Sequence, residues 1–231
     1  MCSSDLGGQP HHPFEPGFLF AAGIEPWSRF PVRGVLWYQG ESNATDTATS
    51  GARDAERNEA LLREVVASFR EAWDEPLLPF VFAQLPGIQR DWELFREVQE
   101  RVARTTPRCE MAVTIDLGHP TDVHPRRKVP VGERLAHRAL EAAHGRTDRP
   151  RAPRVTDHTF EGDEAVLRVK GARELRTTDH QLARGFEVAG EDRVFHPAVA
   201  TLHGDRVRLT ARAVPAPVAA RYAFEIGRAH V

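Results

Sequence analysis

The sequence predicts an α/β chain: a mostly parallel sheet covered by helices on both faces, followed by a smaller antiparallel β module. Three observations predict it. Between Pro31 and about Ala143, short apolar runs alternate with amphipathic stretches of helical period, the signature of parallel strands joined by crossover helices. Pro150-Arg-Ala-Pro153 then marks a boundary. Beyond it the chain holds only short runs of β-forming residues separated by turn signals. The 231 residues, 41% hydrophobic and 28% charged, are enough for one sizeable domain and an appendage.

In chain order, Arg33-Gly-Val-Leu-Trp-Tyr-Gln39 follows a proline and reads as a buried strand. From Asp54 to Trp73, Leu61, Leu62, Val65, Val66, Phe69 and Trp73 recur at spacings of three and four, which makes a helix. Pro76 and Pro79 end it. Phe80-Val-Phe-Ala-Gln84 is a second strand, halted by Pro86-Gly87. Trp92 to Arg104 is a helix with Leu94, Phe95, Val98 and Val102 on one face. Met111-Ala-Val-Thr-Ile115 is a third strand, and Val131 to Ala143 a third helix. In the last part, strands are expected at 165–169, 185–189, 198–202, 206–210 and 219–224, with turns at Gly162-Asp163, Gly190-Glu191 and Gly204-Asp205. These elements divide the chain into a first domain over 7–149 and an accessory β module over 150–225.

The two ends read as foreign. Cys2-Ser-Ser-Asp5 and Ile226-Gly-Arg-Ala229 can be encoded by one DNA sequence and its reverse complement, as ligated adapters would leave. Residues 1–6 and 226–231 are therefore expected to be adapter-derived and stand outside the fold. The raw nucleotide read tests this, since other codons there would sink it.

A formal net charge of −2, from 31 basic and 33 acidic residues, gives no electrostatic case for nucleic acid or an anionic membrane. No apolar run is long enough to span a bilayer, and no signal peptide is visible at the start. Cys2 and Cys109 form neither a metal spacing nor a disulfide framework. Cys109 reads as a buried structural thiol, and His11-His12 as exposed loop.

Two loops carry the residues that could do chemistry. Tyr38-Gln-Gly-Glu-Ser-Asn43 follows the first strand, and Asp116-Leu-Gly-His-Pro-Thr-Asp-Val-His-Pro125 follows the third. In a parallel sheet the loops at the carboxyl ends of strands share one edge, where ligand sites gather. Acyl transfer needs a nucleophile, a base, an acid to orient the base, and donors for the oxyanion. His124 has the side chain suited to proton shuttling, and Asp122 lies two residues away. The Gly40 amide and the side-chain amides of Gln39 or Asn43 could be the donors. Plainer readings exist for each: a Pro-rich Asp-x-His turn, or a turn leading into a helix cap. Ser42 is no nucleophile elbow, because Ala44 stands where the second glycine belongs. Asp116, His119, Asp122 and His124 could instead hold a metal, although no His-x-x-x-His helical pair supports it.

Read together, several segments resemble the sialate O-acetylesterase family, carbohydrate esterases of the SGNH hydrolase type. They are Gly34-Val-Leu-Trp-Tyr-Gln-Gly-Glu-Ser-Asn-Ala44; Phe82-Ala-Gln-Leu-Pro86 with Trp92 and Arg96-Glu-Val-Gln99; Met111-Ala-Val-Thr-Ile-Asp-Leu-Gly118 with Asp122-Val-His-Pro125; and Lys128-Val-Pro-Val-Gly-Glu-Arg-Leu-Ala136. Arg221-Tyr-Ala-Phe224 is similar to the end of that family's β module. The resemblance implies a three-layer SGNH hydrolase fold with a flavodoxin-like parallel sheet and accessory β structure. It implies a serine esterase that removes O-acetyl groups from sugars, above all sialic acids, with no metal or organic cofactor. The expected partner is an acetylated sugar, and the expected compartment periplasmic or extracellular. His124 matches the family's base and Asp122 the accompanying acid, while the position three before the histidine is Thr121. Gln39, Gly40, Glu41 and Asn43 match the oxyanion and substrate side.

The family's nucleophile sits in a Gly-Gln-Ser-Asn block after its first strand. Nothing like it occurs here, and Gly8-Gln-Pro10 lacks the serine. The expectation is a chain without its N-terminal strand and nucleophile loop, inactive alone and poorly stable because a stripped sheet exposes unpaired edges. The rival expectations are an acetylxylan or other polysaccharide acetylesterase, and a non-catalytic carbohydrate-binding protein.

Overall fold

The computed structural model describes residues 15–44, 52–172, 174–177 and 179–224. Both suspected adapter ends, Cys2, Gly8-Gln-Pro10 and His11-His12 lie outside the described residues. The first part is a parallel sheet of order β1-β2-β3, formed by Val35–Trp37, Phe80–Ala83 and Cys109–Ala112. A short helix α1, Phe18–Gly23, precedes it. Helix α2 (Ala52–Ala72) joins β1 to β2, α3 (Glu93–Thr105) joins β2 to β3, and α4 (Lys128–His144) follows β3.

Side-chain alternation sorts the sheet's two faces. Phe80 and Phe82 point to one side, where they pack with Val35, Trp37 and Cys109 against Leu62, Val66 and Phe69 of α2 and Val98 and Val102 of α3. Val81, Ala83 and Ala112 point to the other, against Val131 and Leu135 of α4. Strand β2 thus reads as a continuous apolar run because both of its faces are covered. The flanking strands depart from this: β3 carries Glu110, which pairs with Arg151, and Leu36, on the α4 face of β1, is 58% exposed.

The expected helices stand, with shifted ends. Helix α4 starts at Lys128 rather than Val131, because Pro130 falls in the first turn, where its missing N–H is not needed. Gly145 closes that helix at φ 65°, its N–H donating to the Glu141 carbonyl while the Arg146 N–H donates to Leu140. Strand β3 ends at Ala112, and Ile115 lies instead in a 3₁₀ turn, Ile115–Leu117. The Thr114 hydroxyl donates to the Gln84 carbonyl and takes over from the strand ladder there.

The remainder holds two antiparallel sheets. Strands β4 (Arg154–Glu161), β5 (Glu164–Lys170), β8 (Val199–His203) and β9 (Arg206–Thr210) have the order β4-β5-β9-β8. Strands β6 (Phe186–Ala189), β7 (Phe195–Pro197) and β10 (Ala219–Tyr222) have the order β10-β6-β7. Leu167, Val169, Val188, Ala200, Val207 and Leu209 form their shared core. Strands β4 and β7 were not expected. In β4 only Phe160 is even partly covered, so its sequence carries no apolar alternation. Arg96 of α3 donates to the Phe224 carbonyl at 3.0 Å, tying this part to the first.

Candidate active site

Strand β1 leaves the sheet after Trp37, and Gly40 makes the turn possible. Its φ is 135°, and a Cβ there would lie 2.5 Å from the Phe95 ring, so both backbone angle and space require glycine. Helical backbone begins at Glu41, and the Ala44 N–H donates to the Gly40 carbonyl at 2.8 Å. Gln39 Nε2 donates to Asn43 Oδ1 at 2.7 Å, and Asn43 Nδ2 to Asn58 Oδ1 at 3.0 Å. Asn58 Nδ2 returns a bond to the Asn43 carbonyl at 3.3 Å. Asn58, on α2 and only 5% exposed, therefore anchors the loop. Its role was not foreseen, yet it shows in the sequence as the polar residue within the apolar stripe that runs from Ala55 to Leu62.

The second loop is shaped by two local caps. His119 Nδ1 accepts the backbone N–H of Asp122 at 3.1 Å and that of Thr121 at 3.3 Å, so its proton sits on Nε2. Asp122 Oδ1 accepts the backbone N–H of His124 at 2.8 Å, an Asx-turn. Among the described residues no hydrogen bond joins the Asp122 carboxylate to the His124 ring. The imidazole of His124 is exposed.

One apolar cluster underlies both loops. Leu85, Ile88, Trp92 and Phe95 are buried together with Ala44 of the first loop, and Tyr38 and Val123 pack against them. The segment from Leu85 to Gln89 is also stitched to the second loop by backbone bonds, Gly87 N–H to the Ile115 carbonyl and Gln89 N–H to the Pro120 carbonyl, each 2.9 Å. The loops that hold Gln39, Gly40, Glu41 and Asn43 and the pair Asp122 and His124 thus stand on one platform at the carboxyl edge of the sheet. Lys128 spans the gap, its Nζ 4.9 Å from the centre of the Tyr38 ring. Burial and then the charge of Glu41 hold the Tyr38 phenol above its ordinary pKa.

The other candidates fall elsewhere. Trp92 is fully buried and Trp37 packs on Phe69 and Phe80, so both are core residues. Burial pushes the Cys109 thiol up to about 12, which removes the thiolate a nucleophile needs. Asp116 accepts both arms of Arg134, at 2.5 and 2.7 Å. Among the described residues no three His, Cys, Asp or Glu side chains gather where they could hold a metal ion. A hollow of about 510 Å³ lined by Val66, Arg70, Pro76 and Pro107 opens near the amino ends of β2 and β3, away from both loops.

The Arg134 bond, the main cause, holds Asp116 below the usual carboxylate range. A depressed acid stabilises the fold above its unfolded pKa and loses that contribution as pH falls through the folded one. Asp116→Asn is expected to be less stable than the parent near neutrality, by under about 1 kcal/mol for so exposed a pair. The two should converge as the pH falls below the carboxylate range, followed by urea unfolding across pH; a constant gap would contradict it.

No curated protein matches the chain. Among solved structures, a carbohydrate acetylesterase from Xanthomonas citri is 39% identical, with a TM-score of 0.77 over 89% of this chain and 48% of that one. The chain therefore spans about half the length of this neighbour. The family model of carbohydrate esterases described as sialic acid-specific acetylesterase matches residues 21–141, more than half of the chain, beginning within α1 and ending within α4 and including both loops. By that match the chain belongs to the family of sialic acid-specific acetylesterases among the carbohydrate esterases.

Proposed function

We propose that this chain carries the base side and the oxyanion side of an active site that removes O-acetyl groups from sugars, with O-acetylated sialic acids the leading substrates. The observation that carries the proposal is the shared platform of Leu85, Ile88, Trp92 and Phe95 beneath both loops, within the segment that matches the esterase family. In the proposed cycle a serine hydroxyl attacks the acetyl carbonyl and His124 takes its proton. The tetrahedral oxyanion accepts hydrogen bonds from the Gly40 amide and a side-chain amide of Gln39 or Asn43, each such donor worth about 3–4 kcal/mol. The sugar oxygen leaves with the proton from His124. Water, deprotonated by His124, then releases acetate and restores the serine. Asp122 orients the imidazole, for which its carboxylate must accept the ring N–H besides the backbone amide it already holds. Glu41 faces the substrate.

The nucleophile, in this proposal, comes from a strand and loop outside this chain. Two facts support that. Among the described residues β1 has a strand on one side only, with Leu36 exposed beside the open edge. The solved neighbour is about twice as long as the part that aligns. In a three-layer SGNH hydrolase a further parallel strand would lie along β1, with residues 150–225 as the accessory module.

The test is acetate release from 9-O-acetyl-N-acetylneuraminic acid and from acetylated xylo-oligosaccharides, measured for this chain and for a version extended by the coding sequence upstream of Gly7. The chain alone is expected to release no acetate above buffer. The extended protein is expected to act on the sialic acid, and to carry a Gly-x-Ser block after an apolar strand. Turnover by the chain alone overturns the missing nucleophile; an extended protein that acts only on acetylated xylan overturns the substrate.

A further inference from the structure

Gln99 is 2% exposed in the middle of α3, an expensive place for a carboxamide unless both of its ends are bonded. Both are. The Leu85 backbone N–H donates to Gln99 Oε1 at 2.8 Å, and Gln99 Nε2 donates to the Ala83 carbonyl at 3.1 Å. The side of the sheet these groups face follows from strand alternation. Phe80 and Gln84 bond to β3, through the Arg108 and Ala112 carbonyls, while the Pro79 carbonyl accepts from Val35 of β1. Successive residues alternate sides, so Ala83 and Leu85, like Pro79, direct their backbone groups toward β1.

Strand β1, however, pairs with β2 only as far as Trp37 opposite Phe82. Beyond that point it peels away to form the Gln39–Asn43 loop. The Ala83 carbonyl at the end of β2 and the Leu85 N–H two residues beyond it would be left buried without partners, at about 1–3 kcal/mol each. The Gln99 carboxamide meets these two groups with an acceptor and a donor, as the peptide of a continuing strand would.

We infer that Gln99 is a positioning residue for the candidate site: its side chain replaces the peptide of β1 and so lets β1 and β2 separate at their carboxyl ends while the segment after Ala83 stays fixed. That segment supplies Leu85 and Ile88 to the platform under both loops, and its Gly87 and Gln89 amides hold the second loop. Its two hydrogen bonds go to Leu85 and Ala83, so it acts on the loops through the Leu85 segment. The assignment of those loops as the site rests on the function proposed above, whereas the bonding role of Gln99 does not.

The experiment is native-state amide exchange by NMR on the whole chain, read as the ratio of the Leu85 rate to the Phe80 rate. Phe80 opens the same strand and bonds to the Arg108 carbonyl, so the ratio cancels any change in global stability. Gln99→Met keeps the length and loses both bonds. It is expected to raise the ratio at least ~10-fold, the loss of about 1.4 kcal/mol of local protection, and to shift the amide resonances of Gln39–Asn43 and Asp122–His124. Gln99→Glu, read at a pH below the carboxylate range so that its carboxyl is neutral, keeps an acceptor for Leu85 and an O–H donor for Ala83 and is expected to hold the wild-type ratio. An unchanged ratio in Gln99→Met, or unmoved loop resonances, overturns the inference. Acetate release enters none of these readings, so they stand or fall separately from the esterase proposal.

Discussion

Gly118→Ala is expected to destabilise the chain by about 3 kcal/mol or more. At φ −73° the backbone of Gly118 would accept any residue. The obstacle is contact: a Cβ built there lies 1.8 Å from the Gly87 carbonyl oxygen, 2.7 Å from its carbon and 2.8 Å from the Gly87 nitrogen. These are backbone atoms, and no rotamer change clears them. The two segments would have to separate, breaking the bonds from Gly87 to Ile115 and from Gln89 to Pro120 that hold the second loop in place. Urea unfolding of the variant beside the parent measures the loss. A difference within about 0.5 kcal/mol, the range of an ordinary surface substitution, would contradict this packing of Gly118 on Gly87.

His124→Ala is expected to have the opposite profile, a large loss of turnover with little loss of stability. The imidazole is exposed, and among the described residues the hydrogen bond that His124 makes is from its backbone N–H to Asp122, which alanine keeps. If His124 is the base, kcat/KM of the extended enzyme should fall by about 10³- to 10⁴-fold while the urea midpoint stays put. A loss under about 10-fold would assign the base to another group, with His119 the nearest alternative. His119, though, already spends Nδ1 on two backbone amides.

Much of this was legible in the sequence because the first part obeys simple periodicities. Phe80–Ala83 is apolar throughout since helices cover both of its faces, and the stripe of Leu62, Val66 and Phe69 marks the buried side of α2. What stayed hidden was of two kinds. Elements without apolar alternation, such as β4 with its exposed Arg154, Asp157 and His158, form through pairing with β5 rather than by burial. Contacts between distant residues, such as Asn58 under Asn43 and Gln99 beside Leu85, carry no local signal beyond a polar side chain in an apolar stripe. Sequence order could place the two loops at one sheet edge; the platform of Leu85, Ile88, Trp92 and Phe95 that joins them lies between the loops in sequence and carries no local sign of contact with either. The orientation of Asp122 likewise could not be read from an Asp-x-His spacing, which allows the carboxylate to take either the backbone amide or the ring.

The most direct test of the central claim, that the two loops form one site for an acetylated sugar, is an NMR titration of this chain with 9-O-acetyl-N-acetylneuraminic acid up to about 10 mM, tenfold above the usual upper range of KM. Binding needs no nucleophile, so the chain as it stands suffices. Amide shifts are expected at Gln39–Asn43, at Leu85, Gly87 and Ile88, and at Asp122–His124, moving together with one dissociation constant. Shifts confined to the exposed Tyr222 face of β10, shifts in one loop without the other, or none at saturating sugar would contradict it.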